Sequence, residues 1–126
     1  MARVPGAALE GLGRADRLRR SLDYQRCYRA GRRRRGQLVL LYAHPNELAH
    51  PRLGITASRK VGGAVVRNRL KRRVREIYRR FPRRRELPAL DLVVHLQPAA
   101  AAAEFVALRG ELEGLFNGLL PREEAT

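Results

Sequence analysis

Cysteine, lysine and acidic residues are all scarce in this chain, and each shortage narrows what it can be. The single cysteine, Cys27, excludes an internal disulfide. With no adjacent histidine or CxxC partner it reads as a small buried hydrophobe. No apolar run approaches the ~20 residues that span a bilayer. The opening MARVPGAALEGLGRADRL has basic residues but lacks the apolar core of a signal peptide, so a cytoplasmic protein without a membrane partner is expected. The acids Asp16, Asp23, Glu47, Glu76 and Asp91 are scattered and match no metal-binding spacing. His44, His50 and His95 form no HxxxH or His-Cys pattern. His95, inside an apolar run, is expected to be a satisfied core residue; His44 and His50 flank a turn and are expected to be solvated. No GxxxxGK[ST] loop is present, and GLG at 11–13 and VGG at 61–63 are too short to be nucleotide signatures. A nuclease centre needs a carboxylate cluster for metal ions or an acid–base pair. By itself, the chain therefore reads as non-catalytic.

What is present is positive charge, unevenly placed. The 126 residues suggest one domain with a small core, and 44% hydrophobic residues are too many for a disordered chain. Residues 1–85 hold 25 basic and 5 acidic residues, or +20; residues 86–126 hold 2 and 7, or −5, which together restore the net +15. Such a field attracts nucleic acid or anionic membrane. Arginine supplies 25 of the 27 basic residues. Its planar fork pairs bidentately with phosphate and stacks on bases, which favours nucleic acid, although a GC-rich genome would give the same bias.

Residues 1–13 read as a flexible tail and 120–126 as a C-terminal one, leaving 14–119 as the domain. SLDYQRCYRAG predicts a short helix capped by Ser21, with Asp23 in its first turn and Gly31 at its end. Tyr24, Cys27 and Tyr28 share one face of it. QLVLLY and RLGITAS read as strands, and HPNELAHP between them as a turn, so a hairpin is expected. ALDLVVHLQP reads as a third strand, buried on both faces. AAAAEFVALRGELEGLFNGLL reads as a final helix with Phe105, Leu108, Leu112, Leu115, Phe116 and Leu119 as its stripe. It also holds Glu104, Glu111 and Glu113, so it reads as packing scaffold. The pattern is a mixed α/β sandwich, helices against a small sheet.

The clearest helix is GGAVVRNRLKRRVREIYRRF. Leu70, Val74, Ile77, Tyr78 and Phe81 form one apolar stripe. Asn68, Arg72, Arg75 and Arg79 lie opposite, flanked by Arg69 and Lys71, while Arg67 and Arg73 lie nearer the apolar edge. A solvated helix face normally mixes signs at i, i+4, because like charges there cost stability. Here Glu76 is the only acid from 65 to 81, so a phosphate-binding face is favoured. Tyr24 and Tyr28, joined by Tyr42 if the first helix packs over the sheet, fit a stacking platform for single-stranded bases as well as they fit a core. Arg32–Arg35, Arg59 and Lys60 would supply basic rims.

AVVRNRLKRRVRE, 64–76, resembles the signature of the bacterial ribonuclease P protein component. RLRRSLDYQRCYRAGR resembles that family's first helix, LVLLYAHPNELAHPRLGITASRKVG its strands and approach to the basic helix, and DLVVHLQPAA its C-terminal half. The resemblance covers roughly residues 14–119. It implies an α+β fold of order αβββαβα, with an extra short strand near Arg32–Arg35 and a left-handed βαβ crossover, against the usual rule. It implies a protein subunit that assists Mg²⁺-dependent removal of the 5′ leader from precursor tRNA, the RNA subunit doing the chemistry. Carried over by position, Arg67, Asn68, Arg69, Lys71, Arg72 and Arg75 would bind that RNA, and Arg79, on the same helix face, would extend the basic surface. Tyr24, Tyr28, Tyr42, Ser58, Arg59 and Lys60 would form a leader-binding cleft, in a protein monomeric within the complex. The rivals are a small ribosomal or other structural RNA-binding protein, and a protein-only nuclease. DNA binding is weaker, since no helix-turn-helix spacing is visible.

Overall fold

A computed structural model describes residues 12–121. The elements run α1 (Ser21–Ala30), β1 (Arg32–Arg35), β2 (Val39–Pro45), β3 (Arg52–Ala57), α2 (Ala64–Arg80), β4 (Leu90–Leu96) and α3 (Phe105–Asn117), with short 3-10 turns at Arg14–Asp16, Arg84–Glu86 and Pro98–Ala102. This is the expected αβββαβα order. Residues 1–11 and 122–126 of the two expected tails lie outside the described residues. Leu12 and Leu120 pack against the core.

The expected hairpin between β2 and β3 does not form. The sheet order is β1-β2-β4-β3, so β4 separates them. It pairs antiparallel with β2 and parallel with β3. The reason is burial. Leu92, Val93, Val94 and Leu96 have no exposed surface, and a run apolar on both faces needs cover on both faces and a strand on both edges. The hairpin of this fold is β1–β2. Four arginines cannot occupy a central position, so β1 takes the edge, where charge also deters addition of further strands. The 46–51 loop closes on itself: the Asn46 amide donates to the His50 carbonyl (3.1 Å), and its Oδ1 accepts from the Leu48 N–H (2.9 Å).

Strand alternation divides the core between two faces. Val39, Leu41, Ala43, Leu53, Leu92, Val94 and Leu96 face α2 and α3. On the other side Val93 packs with Cys27 of α1 and Leu18. The result is three layers, with α1 covering the second face. The Leu53 carbonyl accepts from the Leu18 N–H (2.9 Å), on the β3 edge away from β4, while its side chain points to α2. In an L-residue those two directions place β4 on the left of β3, seen from α2 with β3 running upward. The β3–α2–β4 crossover is therefore left-handed, as the resemblance implied.

The stripe read along α2 is buried in full: Leu70, Val74, Ile77, Tyr78 and Phe81. Phe116 of α3 meets the rings of Tyr78 and Phe81 at 5.4 and 5.6 Å. The final helix begins later than the alanine run suggests, at Phe105, after the 3-10 turn. At the start of α1, Arg20 occupies the cap and Ser21 makes no capping bond. Gly31 does end α1, but in extended backbone. A Cβ there would lie 2.5 Å from the Cys27 carbonyl oxygen, so close approach requires the glycine.

Cys27 is buried, its thiol donating to the Asp91 carbonyl at 3.5 Å. Burial, with the Asp91 and Asp23 carboxylates, pushes its pKa up to about 11. The thiolate is the nucleophile, so iodoacetamide at neutral pH should label Cys27 only after unfolding in urea, read by mass spectrometry. Labelling of the folded protein at the unfolded rate would contradict this burial.

Candidate nucleic-acid interface

The basic helix offers less free charge than its sequence suggests. Asn68, Arg69, Arg72 and Arg75 are exposed, and Lys71 is half-buried. Arg67 turns back, its Nε donating to the Gly62 carbonyl (3.1 Å), which ties the helix start to the preceding loop. Arg79 donates to both oxygens of Glu76 at 2.8 Å, and Arg80 pairs with the same carboxylate. These bonds hold Glu76 below the usual carboxylate range, Arg79 contributing most. Of the predicted set, Asn68, Arg69, Lys71, Arg72 and Arg75 remain as an outward face over the first three turns. Arg79 belongs to a local ion-pair cluster.

The predicted aromatic residues are only partly brought together. Tyr28 and Tyr42 meet edge to face, ring centres 4.8 Å apart, and Tyr28 keeps 41% of its surface exposed. Tyr24 sits one turn earlier on Gly54, where a Cβ would lie 2.5 Å from its ring. Its hydroxyl donates to the Leu18 carbonyl at 3.3 Å. Tyr24 opens instead on a cleft of about 280 Å³ lined by Arg17 and Arg19 on one lip and Lys71 and Arg75 on the other, with Leu53, Gly54 and Ile55 among its other walls. The predicted groove thus has two openings, an aromatic one and a cationic one. Arg17 and Arg19 were missed because no helical or strand period marks their segment.

Register sorts the rim. Arg33 stands opposite Tyr42, and Arg35 opposite Leu40, which in turn faces His95. Those two arginines share the aromatic face; Arg32 and Arg34 point to the other. Ser58, Arg59 and Lys60 are exposed in the turn after β3, where the Ser58 hydroxyl accepts from the Lys60 N–H (3.3 Å).

Two of the histidines depart from expectation. His50 is engaged by the Ala15 carbonyl at 2.9 Å, pinning the loop to the N-terminal turn. His95 is half-buried and lies on the aromatic face. The Thr56 hydroxyl is 2.8 Å from its Nδ1 and 2.7 Å from the Tyr28 hydroxyl. The mean apolarity of β4 hid this position, since period-two alternation was masked by a strand buried nearly throughout.

What seats α1 on the sheet is polar. Asp91, buried at the start of β4, accepts from Nε and Nη2 of Arg52 (both 2.8 Å) and from the Asn46 amide (3.0 Å). Arg52 also lies 3.5 Å from Asp23 of α1. Among the described residues, no group of three or more His, Cys, Asp or Glu is placed to hold a metal ion.

The comparisons with known proteins point to one family. The family model described as Ribonuclease P matches residues 12–120. A ribonuclease P protein component from Acidothermus cellulolyticus is 42% identical over 106 residues, covering 82% of this chain and 87% of that one. One from Coxiella burnetii is 39% identical over 104 residues, 82% and 84% of the two chains. Among solved structures, the RNase P protein of Staphylococcus aureus superposes with a TM-score of 0.77 at 29% identity, covering 86% of this chain and all of that one. That of Thermotoga maritima gives 0.74 at 30%, covering 83% and 98%. With a family model matching nearly the whole described chain and relatives about 40% identical over most of their length, the protein belongs to the ribonuclease P protein family, the protein subunits of a ribonucleoprotein endoribonuclease.

Proposed function

We propose that the chain divides its RNA contacts between two surfaces in 5′ maturation of tRNA. The outward face of α2 (Asn68, Arg69, Lys71, Arg72 and Arg75), with Arg67 bracing the start of the helix, binds the catalytic RNA. The cleft of Tyr28, Tyr42, Ser58, Arg59 and Lys60, with Tyr24 at its second opening, binds the 5′ leader of precursor tRNA. The observation that carries this reading is the Tyr28–Tyr42 pair, with Tyr28 exposed and Arg33 opposite Tyr42: a ring left in water next to an arginine suits unstacked bases on a phosphate chain. A ribosomal role is not favoured by the family membership.

The physical consequence is differential binding. Substrate carries a leader and product does not, so a leader contact strengthens substrate binding alone and limits product inhibition. The cationic face screens repulsion between two large polyanions and lowers the Mg²⁺ needed to assemble them. That magnesium is held mainly by the RNA. Several of the described carboxylates are committed elsewhere: Asp91 and Asp23 to Arg52, Glu76 to Arg79 and Arg80, Glu111 to backbone N–H groups. The protein acts as a monomer in the complex, in the cytoplasm.

Tyr28→Ala is expected to weaken binding of leader-bearing precursor while leaving leaderless tRNA unchanged. Stacking on one aromatic is worth about 1–3 kcal/mol per base, so roughly a tenfold loss should appear in a holoenzyme titration. Equal losses for both tRNAs would end this division of labour. With about six phosphates neutralised, log affinity for the catalytic RNA should fall with log salt at a slope of magnitude roughly 4–5. Arg72→Ala should lower that magnitude by ~0.7–0.9, and Arg19→Gln in the cationic cleft should lower the corresponding slope for leader-bearing precursor by as much. An unchanged slope would remove that residue from the interface.

A further inference from the structure

We propose that His95 makes the aromatic cleft selective among leader bases: Thr56 holds its ring so that the free nitrogen, Nε2, reads a polar atom on the edge of a base stacked beside Tyr28. This rests on the leader-binding reading above and names how that cleft would discriminate.

The geometry is a three-membered relay. The Thr56 hydroxyl lies between the Tyr28 hydroxyl (2.7 Å) and His95 Nδ1 (2.8 Å), linking α1, β3 and β4. A hydroxyl carries one proton, so Thr56 donates to one neighbour and accepts from the other. A phenol is a better donor than an aliphatic alcohol, and an imidazole nitrogen a better acceptor than a phenol oxygen. Tyr28 therefore donates to Thr56, and Thr56 donates to Nδ1. Burial lowers the His95 pKa and keeps the ring neutral at neutral pH, and burial likewise raises that of Tyr28. The remaining imidazole proton then sits on Nε2. This assignment follows from the network, as it must for any histidine tautomer.

The Nε2–H has no partner among the described residues. No described side-chain nitrogen or oxygen is both buried and without a partner, so Nε2 reaches solvent. The ring stands edge-on to Tyr28, centres 6.4 Å apart at 86°. The side chains around it on this face are Leu40 of β2, Thr56 of β3, Arg35 of β1 beyond Leu40, and Tyr42. None is an acid that would compete for the N–H. A base lying against Tyr28 would meet an oriented donor at its edge beside the acceptor lone pairs of the tyrosine oxygen. Such oriented polar groups are what single-stranded bases are read by, on Watson–Crick or Hoogsteen edges.

If Thr56 and His95 merely satisfied each other in a half-buried corner, their replacement by apolar residues of similar shape would change stability and nothing else. The test therefore reads selectivity. A bacterial ribonuclease P RNA is reconstituted with wild type, His95→Leu, His95→Gln, Thr56→Val and the Thr56→Val/His95→Leu double variant. Each competes precursor tRNAs that differ in one leader nucleotide, and relative kcat/KM is measured. Wild type should discriminate at one leader position by roughly fivefold to tenfold, the worth of one hydrogen bond. His95→Leu and Thr56→Val should each flatten that profile, and the double variant should do no more, because the two act as a unit. His95→Gln, which keeps a polar atom without the fixed donor, should alter the preferred base. A flat wild-type profile, or unchanged discrimination in folded His95→Leu, overturns the proposal. Tyr28→Ala, run in parallel, separates the two claims: a leader-specific loss there with a flat base profile sinks the role of His95 alone, whereas no leader-specific loss sinks the cleft reading and this one with it.

Discussion

Replacing Asp91 with alanine should lower the unfolding free energy by about 3–5 kcal/mol, the usual result of removing one member of a buried ion pair. Asp91 is 3% exposed and accepts two hydrogen bonds from Arg52 and one from Asn46. Without it the Arg52 guanidinium, largely covered by its neighbours, keeps only Asp23 at 3.5 Å. The Asn46 amide also loses a partner, and the 46–51 loop with it. Most of the loss comes from stranding a desolvated charge, so Asp91→Leu combined with Arg52→Leu should cost less than Asp91→Ala alone. Urea unfolding followed by circular dichroism measures both. A loss under about 1 kcal/mol would mean that water reaches Arg52 freely. Because Arg52 also holds Asp23, the α1 helix should loosen on the sheet. Surviving Asp91→Asn protein should then bind leader-bearing precursor less well than wild type, with its grip on the catalytic RNA nearly intact.

Glu111→Ala should cost about 2–4 kcal/mol, from charge-assisted bonds worth roughly 1 kcal/mol or more each. Glu111 projects from α3 into the turn that joins β1 to β2. Its two oxygens accept the backbone N–H groups of Gln37 (3.0 Å), Leu38 (2.9 Å) and Val39 (2.9 Å). The Gly36 carbonyl is already engaged by the Gln97 amide at 2.9 Å. Glu111→Gln keeps the length but only one acceptor oxygen, so about half the loss is expected. The same contact explains Gly36, where a Cβ would fall inside contact distance of the Glu111 carboxylate. Gly36→Ala should therefore destabilise wild type but add little to Glu111→Ala, a non-additivity read from a double-mutant cycle. Full additivity would show that the two do not share one contact. A loosened turn also frees β1, so the Arg33 and Arg35 contribution to the salt dependence of leader binding should diminish.

Helix faces were readable at once. The stripe of Leu70, Val74, Ile77, Tyr78 and Phe81 repeats at the period of about 3.6 that any helix imposes, and every member is buried. The stripe of α3 was equally plain, and the helix is scaffold as read, but the role of one acid was not legible: Glu111 is a turn clamp reaching residues more than seventy positions away, which no local period signals. The hairpin failed for a related reason. Two adjacent strand-like segments with a turn between them usually pair, but a later strand with a stronger need for burial displaced one from the other. Of the predicted site residues, Tyr28 and Tyr42 came together, Tyr24 turned to a second opening, and Arg79 was drawn into a local ion pair.

By itself the sequence determined that this is a small, strongly basic α+β domain, which faces its helices bury, and, through the motif at 64–76, which family it resembles. Periodicity and charge are local properties, readable without knowing what touches what. Only the tertiary structure decided that β4 lies between β2 and β3, that Arg33 and Arg35 rather than Arg32 and Arg34 border the aromatic cleft, and that Thr56 links Tyr28 to His95. Each of these depends on strand register and on competition among distant segments for one buried position. Those contacts exist only once the whole chain is packed.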